Sequence, residues 1–327
     1  MSSGKRAFTL YWSSLDTFEG CPQRFLWGRG WGAIDVGGGP GRPKPKPVQK
    51  SEHHAVLGTV IQAVVERFYS DALWASLGPE VLRERLLQLA DEHFKLEIAR
   101  RFIDWRLSPT RQEMEQTIRD GVLGYMKTLK AHRLLGSYAK AEVDLVGYVN
   151  NYTPIGGRAD VVIKRDQDPN KGTMIIDGKN GKRYKDGHGG LKTYTDPDQL
   201  RWYALCFYLA YHHLPDRLGF CYYRYPYGSP ALDANGRPTG KTEEGIEWVT
   251  FTQEDLKGLA QRAVDARKGM DFEKFPAKPD PQGCRFCDYD TVCPERVGQK
   301  DQNRRSPGKQ QRFEDVANLK GFTLLEM

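Results

Sequence analysis

The amino-acid sequence predicts an α/β fold in which helices pack on a mixed central sheet. Residues 52–75 carry apolar side chains at helical spacing, which predicts a long amphipathic helix. Three segments, near positions 140, 157 and 175, are rich in β-branched residues and are predicted to be strands. A second helix over 196–213 and a strand over 217–225 follow, so the elements run in the order αβββαβ.

The composition is typical of a globular protein. The chain has 327 residues, enough for one large domain or two small ones. No apolar run is long enough to span a bilayer and the first residues lack the apolar stretch of a signal peptide, so we expect a cytoplasmic protein with no membrane contact. Its six cysteines are then not expected to form a disulfide framework. The net charge of +7 permits a polyanionic partner without proving one.

The stretch Pro154–Lys179 is predicted to form two strands joined by a polar turn. Asp160 lies on the first strand, whereas Asp177 and Lys179 lie on one face at the end of the second. Two neighbouring strands can therefore bring these three side chains together. Two carboxylates suit a hard cation such as Mg²⁺, and a lysine beside them can stabilise charge on a phosphate. An isolated Asp-x-Lys is also frequent in solvated turns, which is the alternative interpretation.

Each flanking helix carries a polar pair four residues apart, and residues at that spacing share one helix face. Gln62 and Glu66 form the pair on the first helix, and Gln199 and Tyr203 form the pair on the second. Either pair can face a site at the sheet. The alternatives are a solvated Gln/Glu pair on the first helix, and polar groups at a helix–sheet boundary on the second.

Two further segments surround this region. A basic loop follows Lys179 and supplies three candidate phosphate contacts, namely Lys182, Arg183 and Lys185. Residues 79–133 have helical periodicity and many charges, which predicts a helical insertion between the first helix and the strands.

Four of the six cysteines form a two-ended pattern. Cys284, Cys287 and Cys293 make a C-x2-C-x5-C motif, whereas Cys21 stands alone near the N-terminus. A lone cysteine is usually a small buried apolar residue. The two remaining cysteines lie in apolar, aromatic surroundings and are predicted to be packed thiols.

Together these features resemble the RecB-like branch of the PD-(D/E)XK nuclease superfamily, whose core has the αβββαβ order. The matching residues are Glu66 on the first helix, Asp160 in GGRAD, Asp177-x-Lys179 in IIDGK and Gln199-x-x-x-Tyr203. The resemblance covers about residues 9–296. Each motif is common by itself, and their order and the two-ended cysteine pattern make them specific together.

The cysteines extend the resemblance, because Cys21 before the core and the trio after it are similar to the iron-sulfur staple of AddB-type and CRISPR-associated RecB-like exonucleases. This implies a 4Fe-4S cluster with four thiolate ligands, which are Cys21, Cys284, Cys287 and Cys293. A structural zinc would accept the same ligands and is the alternative. The cluster would join segments 9–30 and 276–296 of a single nuclease domain over 1–296, followed by a polar tail over 297–327.

The resemblance implies a Mg²⁺- or Mn²⁺-dependent DNA exonuclease that acts on single-stranded ends in recombination, repair or phage DNA processing. The residues it implies in catalysis are Asp160, Asp177, Lys179, Gln199, Tyr203 and Glu66. Those implied to hold the ion are Asp160, Asp177, Gly178 and Gln62. Lys179 would orient the attacking water or help to deprotonate it. The implied partners are DNA and a recombination or replication protein, in a bacterial or phage-infected cell.

One position departs from the family pattern. RecB-like nucleases usually carry histidine in a G-x-x-x-H-x-x-x-E motif, and here Gly58 is followed by Gln62 and then Glu66. A glutamine carbonyl is a weaker ligand than imidazole for Mn²⁺, although Mg²⁺ tolerates it. The alternative function is therefore a catalytically weak or inactive nuclease-fold scaffold that binds DNA in a recombination complex.

Overall fold

The computed structural model describes most of the chain between Phe8 and Glu295. The described residues are 8–30, 46–47, 50–107, 109–135, 139–164, 172–181, 183–185, 191–193, 195–233, 236–271, 275–285, 287–290 and 292–295. The predicted polar tail over 297–327 lies outside them.

A mixed sheet lies at the centre of the described fold. The strands of the described residues are, in chain order, β1 (Leu10–Tyr11), β2 (Ala139–Tyr148), β3 (Pro154–Ile163), β4 (Met174–Lys179), β5 (Arg183–Lys185), β6 (Leu191–Thr193), β7 (Arg217–Tyr222), β8 (Pro230–Leu232), β9 (Pro238–Thr242) and β10 (Ile246–Val249). The central sheet has the order β1-β3-β4-β7-β10, with β2 paired to β3. Strands β2 and β4 run antiparallel to β3, whereas β4 and β7 run parallel. The predicted mixed sheet is thus confirmed.

Helices cover both faces of this sheet. The α-helices of the described residues are α1 (Trp12–Gly20), α2 (Pro22–Phe25), α3 (His53–Ser70), α4 (Leu73–Ser76), α5 (Pro79–Arg100), α6 (Arg111–Ala131), α7 (Pro197–Tyr211), α8 (Gln253–Asp271) and α9 (Pro281–Arg285), and a π-helical turn over Leu26–Gly30 follows α2. The order α3-β2-β3-β4-α7-β7 is the predicted αβββαβ core, and α5 with α6 is the predicted insertion. None of these helices is both long and apolar enough to cross a membrane.

Two apolar layers hold the helices to the sheet. Helices α3, α5 and α6 pack on one face through side chains such as Val64 and Phe68, and burial of each such side chain stabilises the fold by about 1.5–3 kcal/mol. Helices α1, α7 and α8 pack on the other face around Trp202, whose indole N–H donates to the Gly156 carbonyl at 2.9 Å. Both cysteines outside the two-ended pattern are fully buried in these layers, as predicted.

At one level of the sheet, the side chains of alternate residues on β2 and β3 change from one face of the sheet to the other. Ala141 and Val161, which are paired, lie in the α3 layer, whereas Val143 and Ala159, the next pair of the same parity, lie in the α7 layer. In a regular strand, residues two apart point to the same side, so this exchange requires an irregular position between the pairs. That position on β2 is Glu142, whose φ of 50° is left-handed. The exchange occurs next to the candidate site.

Candidate active site

The candidate site lies where β3 and β4 separate. The two strands pair over three residues only, and the last pair is Val161 with Ile176. Asp160 and Asp177 are the next residue on each strand, so the sheet itself places the two carboxylates side by side. Beyond this point β3 pairs with β1 instead. The divergence therefore occurs at the two aspartates.

Main-chain and lysine groups of β4 contact both carboxylates. The Gly178 N–H donates to Asp160 Oδ2 at 2.7 Å. Lys179 Nζ forms an ion pair with Asp177 Oδ2 at 2.5 Å. Asp177 is buried, with 2% of its surface exposed, whereas Asp160 is partly buried. The predicted proximity of Asp160, Asp177 and Lys179 is present in the structure.

Helix α7 supplies the second set of contacts. Lys179 Nζ donates to Gln199 Oε1 at 2.8 Å, and Gln199 Nε2 donates to Asp177 Oδ1 at 3.3 Å and to the Tyr203 hydroxyl at 3.2 Å. The Tyr203 ring lies against β3 at Gly157, where a Cβ would come within 2.7 Å of a ring carbon. A glycine in GGRAD is thus required for close approach of α7, which in turn fixes Lys179.

Glu142 is a third carboxylate near this pair, and no sequence motif predicts its presence there. It lies opposite Asp160, at the point where β2 and β3 exchange faces. A left-handed φ in a residue other than glycine costs roughly 1–3 kcal/mol, and such strain is concentrated at functional sites. The alternation of AKAEVDL places Glu142 with exposed Lys140 and Asp144, so the pattern itself gives no signal that it turns toward the site.

Two hydrogen bonds through Gln62 and Tyr223 connect Glu142 to the layer that contains α3. The Tyr223 hydroxyl donates to Gln62 Oε1 at 3.1 Å, and Gln62 Nε2 donates to Glu142 Oε1 at 2.8 Å. Tyr223 is buried, and a Cβ added at Gly178 would overlap its hydroxyl. The carbonyl oxygen of Gln62, which is its only group able to bind a metal, is therefore already a hydrogen-bond acceptor for Tyr223.

Burial shifts the ionisation of the aspartates. It raises the pKa of Asp160 well above its usual value, and the nearby charge of Asp177 raises it further, against the opposing effects of the Gly178 N–H and the Lys179 ammonium. Burial also raises the pKa of Asp177, although Lys179 opposes the shift. Both shifts signify that negative charge is costly at this position. A bound cation would remove that cost.

The donor set suits a divalent cation of the Mg²⁺ type. Asp177 Oδ2 is buried, and apart from the Lys179 ammonium at 2.5 Å it has no partner among the described residues. The part of the chain that the structure describes contains no group of three or more His, Cys, Asp or Glu side chains arranged to hold a metal ion. Mg²⁺ requires only one or two carboxylates and retains water in its other positions, so the aspartate pair is sufficient.

Four predicted residues are not brought to this cluster by the described contacts. Glu66 is exposed on α3 and, within the described residues, forms no hydrogen bond or ion pair with the site. Lys182 lies outside the described residues. Arg183 and Lys185 lie on β5, which pairs with β6, and their side chains are also outside the described part of the structure.

The four cysteines of the two-ended pattern are free and partly buried. Cys21 lies between α1 and α2, and the other three lie in α9 and the turns that follow it. Burial raises the pKa of Cys293, and the thiols of Cys21, Cys287 and Cys284 add to the shift, so the four sulfurs share one neighbourhood. Cys293 Sγ donates to Gln23 Oε1 at 3.5 Å. Among the described residues these thiols do not form a metal-holding arrangement.

A family model for the PD-(D/E)XK nuclease superfamily matches residues 11–294, which include both helix layers and the whole candidate site. The chain belongs to the PD-(D/E)XK nuclease superfamily. Its mixed α/β architecture fits the core of that superfamily. Membership implies a nuclease, which is an enzyme with DNA as its ligand, and PD-(D/E)XK nucleases commonly use Mg²⁺ or Mn²⁺. A search of the curated proteins finds no match.

Proposed function

We propose that this PD-(D/E)XK nuclease is a metal-dependent DNA exonuclease that hydrolyses phosphodiester bonds at single-stranded ends. The observation that carries the proposal is the hydrogen-bonded cluster of Asp160, Asp177, Lys179 and Gln199 where β3 and β4 separate. It combines a carboxylate pair suited to a divalent cation with a fixed ammonium group, and phosphodiester hydrolysis requires both kinds of charge stabilisation.

Asp160, Asp177 and the Gly178 carbonyl would hold the Mg²⁺ or Mn²⁺ ion. When bound, the ion activates a water and neutralises charge on the phosphate. Lys179 is held from two sides, by Asp177 at 2.5 Å and by Gln199 at 2.8 Å, so its ammonium keeps one position beside the reacting group. A preorganised charge of this kind stabilises the transition state without reorganisation during the reaction.

Gln199 and Tyr203 would position the nucleic acid strand. The Gln199 amide is shared between Lys179, Asp177 and Tyr203, so its own orientation is fixed. Burial raises the pKa of Tyr203 far above neutrality, and the charges of the two aspartates add to the shift. The hydroxyl therefore remains protonated and can donate a hydrogen bond to the strand.

We propose that Glu142, rather than Glu66, is the third carboxylate that acts on the Asp160–Asp177 pair. Glu142 faces Asp160 and its charge reaches that carboxyl, whereas Glu66 is exposed. Gln62 would act on the site through Glu142, because its carbonyl oxygen accepts from Tyr223 and its amide group donates to Glu142. In this proposal Gln62 positions a carboxylate and need not bind the ion itself.

Lys182, Arg183 and Lys185 are proposed to contact backbone phosphates, as expected of a basic loop directly after the Asp-x-Lys strand. The net charge of +7 supports a polyanionic substrate. The setting would be recombination, repair or phage DNA processing in the cytoplasm of a bacterial or phage-infected cell, with a recombination or replication protein as partner.

The four cysteines are proposed to bind a 4Fe-4S cluster, with a structural zinc as the alternative. Support comes from their donor chemistry and from the effect of the three other thiols, which raise the pKa of Cys293. Protein purified without oxygen should be brown and contain iron. Colourless protein that contains stoichiometric zinc would select the alternative.

The test of the nuclease proposal is cleavage of single-stranded DNA labelled at either end, with circular DNA of the same sequence and both metals compared. Wild-type protein should degrade linear strands and leave circles intact. Asp177→Asn should reduce the rate by about 10²- to 10³-fold or more, because one preorganised charge contact is lost.

Asp144→Asn is the matched control, since Asp144 is an exposed carboxylate that pairs with Arg158. It should cleave at the wild-type rate, with the same metal dependence. Equal rates for Asp177→Asn and wild type would refute the site assignment. Cleavage of circles would refute the exonuclease proposal and leave the nuclease intact.

A second candidate function is a DNA-binding scaffold with little activity. Gln62 is the observation that favours it, because the position lacks the usual imidazole and its carbonyl oxygen is engaged by Tyr223. Wild-type protein that binds single-stranded DNA but shows no Mg²⁺ or Mn²⁺ binding would establish this alternative over the enzyme.

A further inference from the structure

Arg224 lies beside the end of the Asp-x-Lys strand. Strands β4 and β7 run parallel, and their register places Lys179 next to Tyr222. The Tyr223 N–H then donates to the Lys179 carbonyl at 3.0 Å, so the chain after β7 remains next to the chain after β4. Arg224 is the following residue. Its Nε donates to the carbonyl oxygen of Asn180 at 3.0 Å.

Within the described residues, the Arg224 guanidinium has no carboxylate partner, and its bond to Asn180 uses only the Nε–H group. Several other arginines of the fold are paired with carboxylates, as Arg101 is with Glu97 and Arg262 is with Glu19. Arg224 is also partly buried, and burial lowers its pKa. A partly buried guanidinium without an anion is unfavourable for the free protein, which favours a role in binding one.

Asn180 provides a second polar group that has no hydrogen-bond partner in the described part of the chain. Its Oδ1 atom is buried and accepts no hydrogen bond from the described residues. Its main-chain carbonyl, meanwhile, holds Nε of Arg224, which fixes the direction of the guanidinium fork. The two unsatisfied groups lie at the same end of the β4–β7 pair as Lys179.

We propose that Arg224 binds a backbone phosphate of the strand being cleaved, through the two terminal nitrogens of its guanidinium. A guanidinium fork matches two phosphate oxygens at once and retains its charge at any working pH. The proposal rests on the proposed nuclease function and adds a phosphate site to it. Strand β4 pairs with β3, which carries Asp160, on one side and with β7, which leads to Arg224, on the other. Asn180 would act as the positioning residue for Arg224.

The test measures binding of fluorescein-labelled single-stranded DNA by anisotropy over a salt series, with Asp177→Asn as the background so that no strand is cut. Arg224→Gln should weaken binding and reduce the slope of log affinity against log salt by about 0.7, the value for one phosphate contact on a single strand. Arg224→Lys should retain the slope and lose part of the affinity, because lysine keeps the charge but not the fork.

Arg85→Gln is the matched control, since Arg85 contacts only Gln88 and Glu92 on its own helix among the described residues. It should retain both affinity and slope. The proposal is overturned if Arg224→Gln keeps the parental slope, or if the glutamine and lysine variants lose affinity equally, as they would in a purely structural role.

The same series separates this proposal from the nuclease proposal. Protein that binds DNA with an Arg224-dependent slope but never cleaves it would contradict the nuclease and support the phosphate site. Protein that cleaves DNA, but whose salt slope does not depend on Arg224, would support the nuclease proposal and contradict the phosphate site. Wild-type protein that does not bind single-stranded DNA would overturn the phosphate site.

Discussion

The carboxylate site and the four-cysteine region are held together in different ways. The carboxylate site draws its side chains from β3, β4 and α7, which belong to the packed core, and these side chains bond directly to one another. The cysteines come from short helices and turns at the two ends of the described chain. Neighbouring residues link the two ends, since Arg24 pairs with Asp288 at 3.6 Å and the ring centroids of Trp27 and Tyr289 lie 5.5 Å apart. Among the sulfurs, Cys293 Sγ donates to Gln23 Oε1 at 3.5 Å.

This difference indicates where each region obtains its order. Protein contacts fix the carboxylates before any ion binds, as the double restraint on Lys179 shows. Around the cysteines, neighbouring side chains already link the chain ends, and in the proposed state the metal would add a direct link between the four sulfurs. We therefore expect metal removal to affect stability mainly through the cysteines and activity mainly through the carboxylates.

The largest expected effect is on the cysteine side. Cys287→Ser should abolish bound iron or zinc and lower the stability of the purified protein by about 3 kcal/mol or more, because tight metal binding to the folded state alone is lost. Metal content and thermal denaturation measure the two effects. Cys221→Ala, which truncates a fully buried thiol outside the pattern, should leave the metal content unchanged. If Cys287→Ser kept the wild-type metal content, the proposed four-cysteine metal site would be wrong, and the comparison with the carboxylate site would fail.

The next largest expected effect concerns the hydrogen bonds that join Tyr223, Gln62 and Glu142. Tyr223→Phe removes the hydroxyl that holds Gln62, so the glutamine should lose its fixed orientation. We expect a loss of about 10- to 100-fold in activity or metal affinity, the usual effect of removing a group that orients metal-site residues. A change in the Mg²⁺ to Mn²⁺ preference, measured by titrating each metal in the cleavage assay, distinguishes this role from general destabilisation. Tyr227→Phe, a change at an exposed tyrosine, should show no such change.

The smallest expected effect is on how the free energy of unfolding of metal-free protein depends on pH. The pKa of Asp160 is raised in the folded state, so this group favours folding at acidic pH, and that contribution is lost as pH rises through its folded pKa. Asp160→Asn should therefore be more stable than wild type at neutral pH. The difference should shrink as pH falls toward the ordinary aspartate pKa. Chemical denaturation at several pH values tests this, and a less stable variant at neutral pH would contradict it.

Much of the core could be predicted because its signals are local. Helical spacing of Val60 and Val64, and β-branched residues along β3 and β4, determine the element order. Strand periodicity also places Asp177 and Lys179 on one face. The start of α7 also has a local cause, because Asp196 precedes Pro197 and its Oδ1 accepts from the Asp198 N–H at 2.9 Å.

The remaining site residues depend on contacts that no local pattern contains. Glu142 reaches the site because β2 and β3 exchange faces beside it, and regular alternation predicts the opposite. Tyr223 and Arg224 are placed by the parallel register of β4 and β7, which joins segments more than forty residues apart. The exposure of Glu66 likewise follows from how α3 is rotated on the sheet, since its spacing from Gln62 allows either orientation.

The measurement that tests the central claim most directly is a titration of Mn²⁺, followed by calorimetry, into protein purified so that the proposed cysteine-bound metal would be retained. Wild type and Asp144→Asn should show saturable binding that Mg²⁺ displaces. Asp177→Asn should lose it and still have the wild-type content of iron or zinc. Equal Mn²⁺ binding by wild type and Asp177→Asn would contradict the assignment of the Asp160–Asp177 pair as the catalytic metal site.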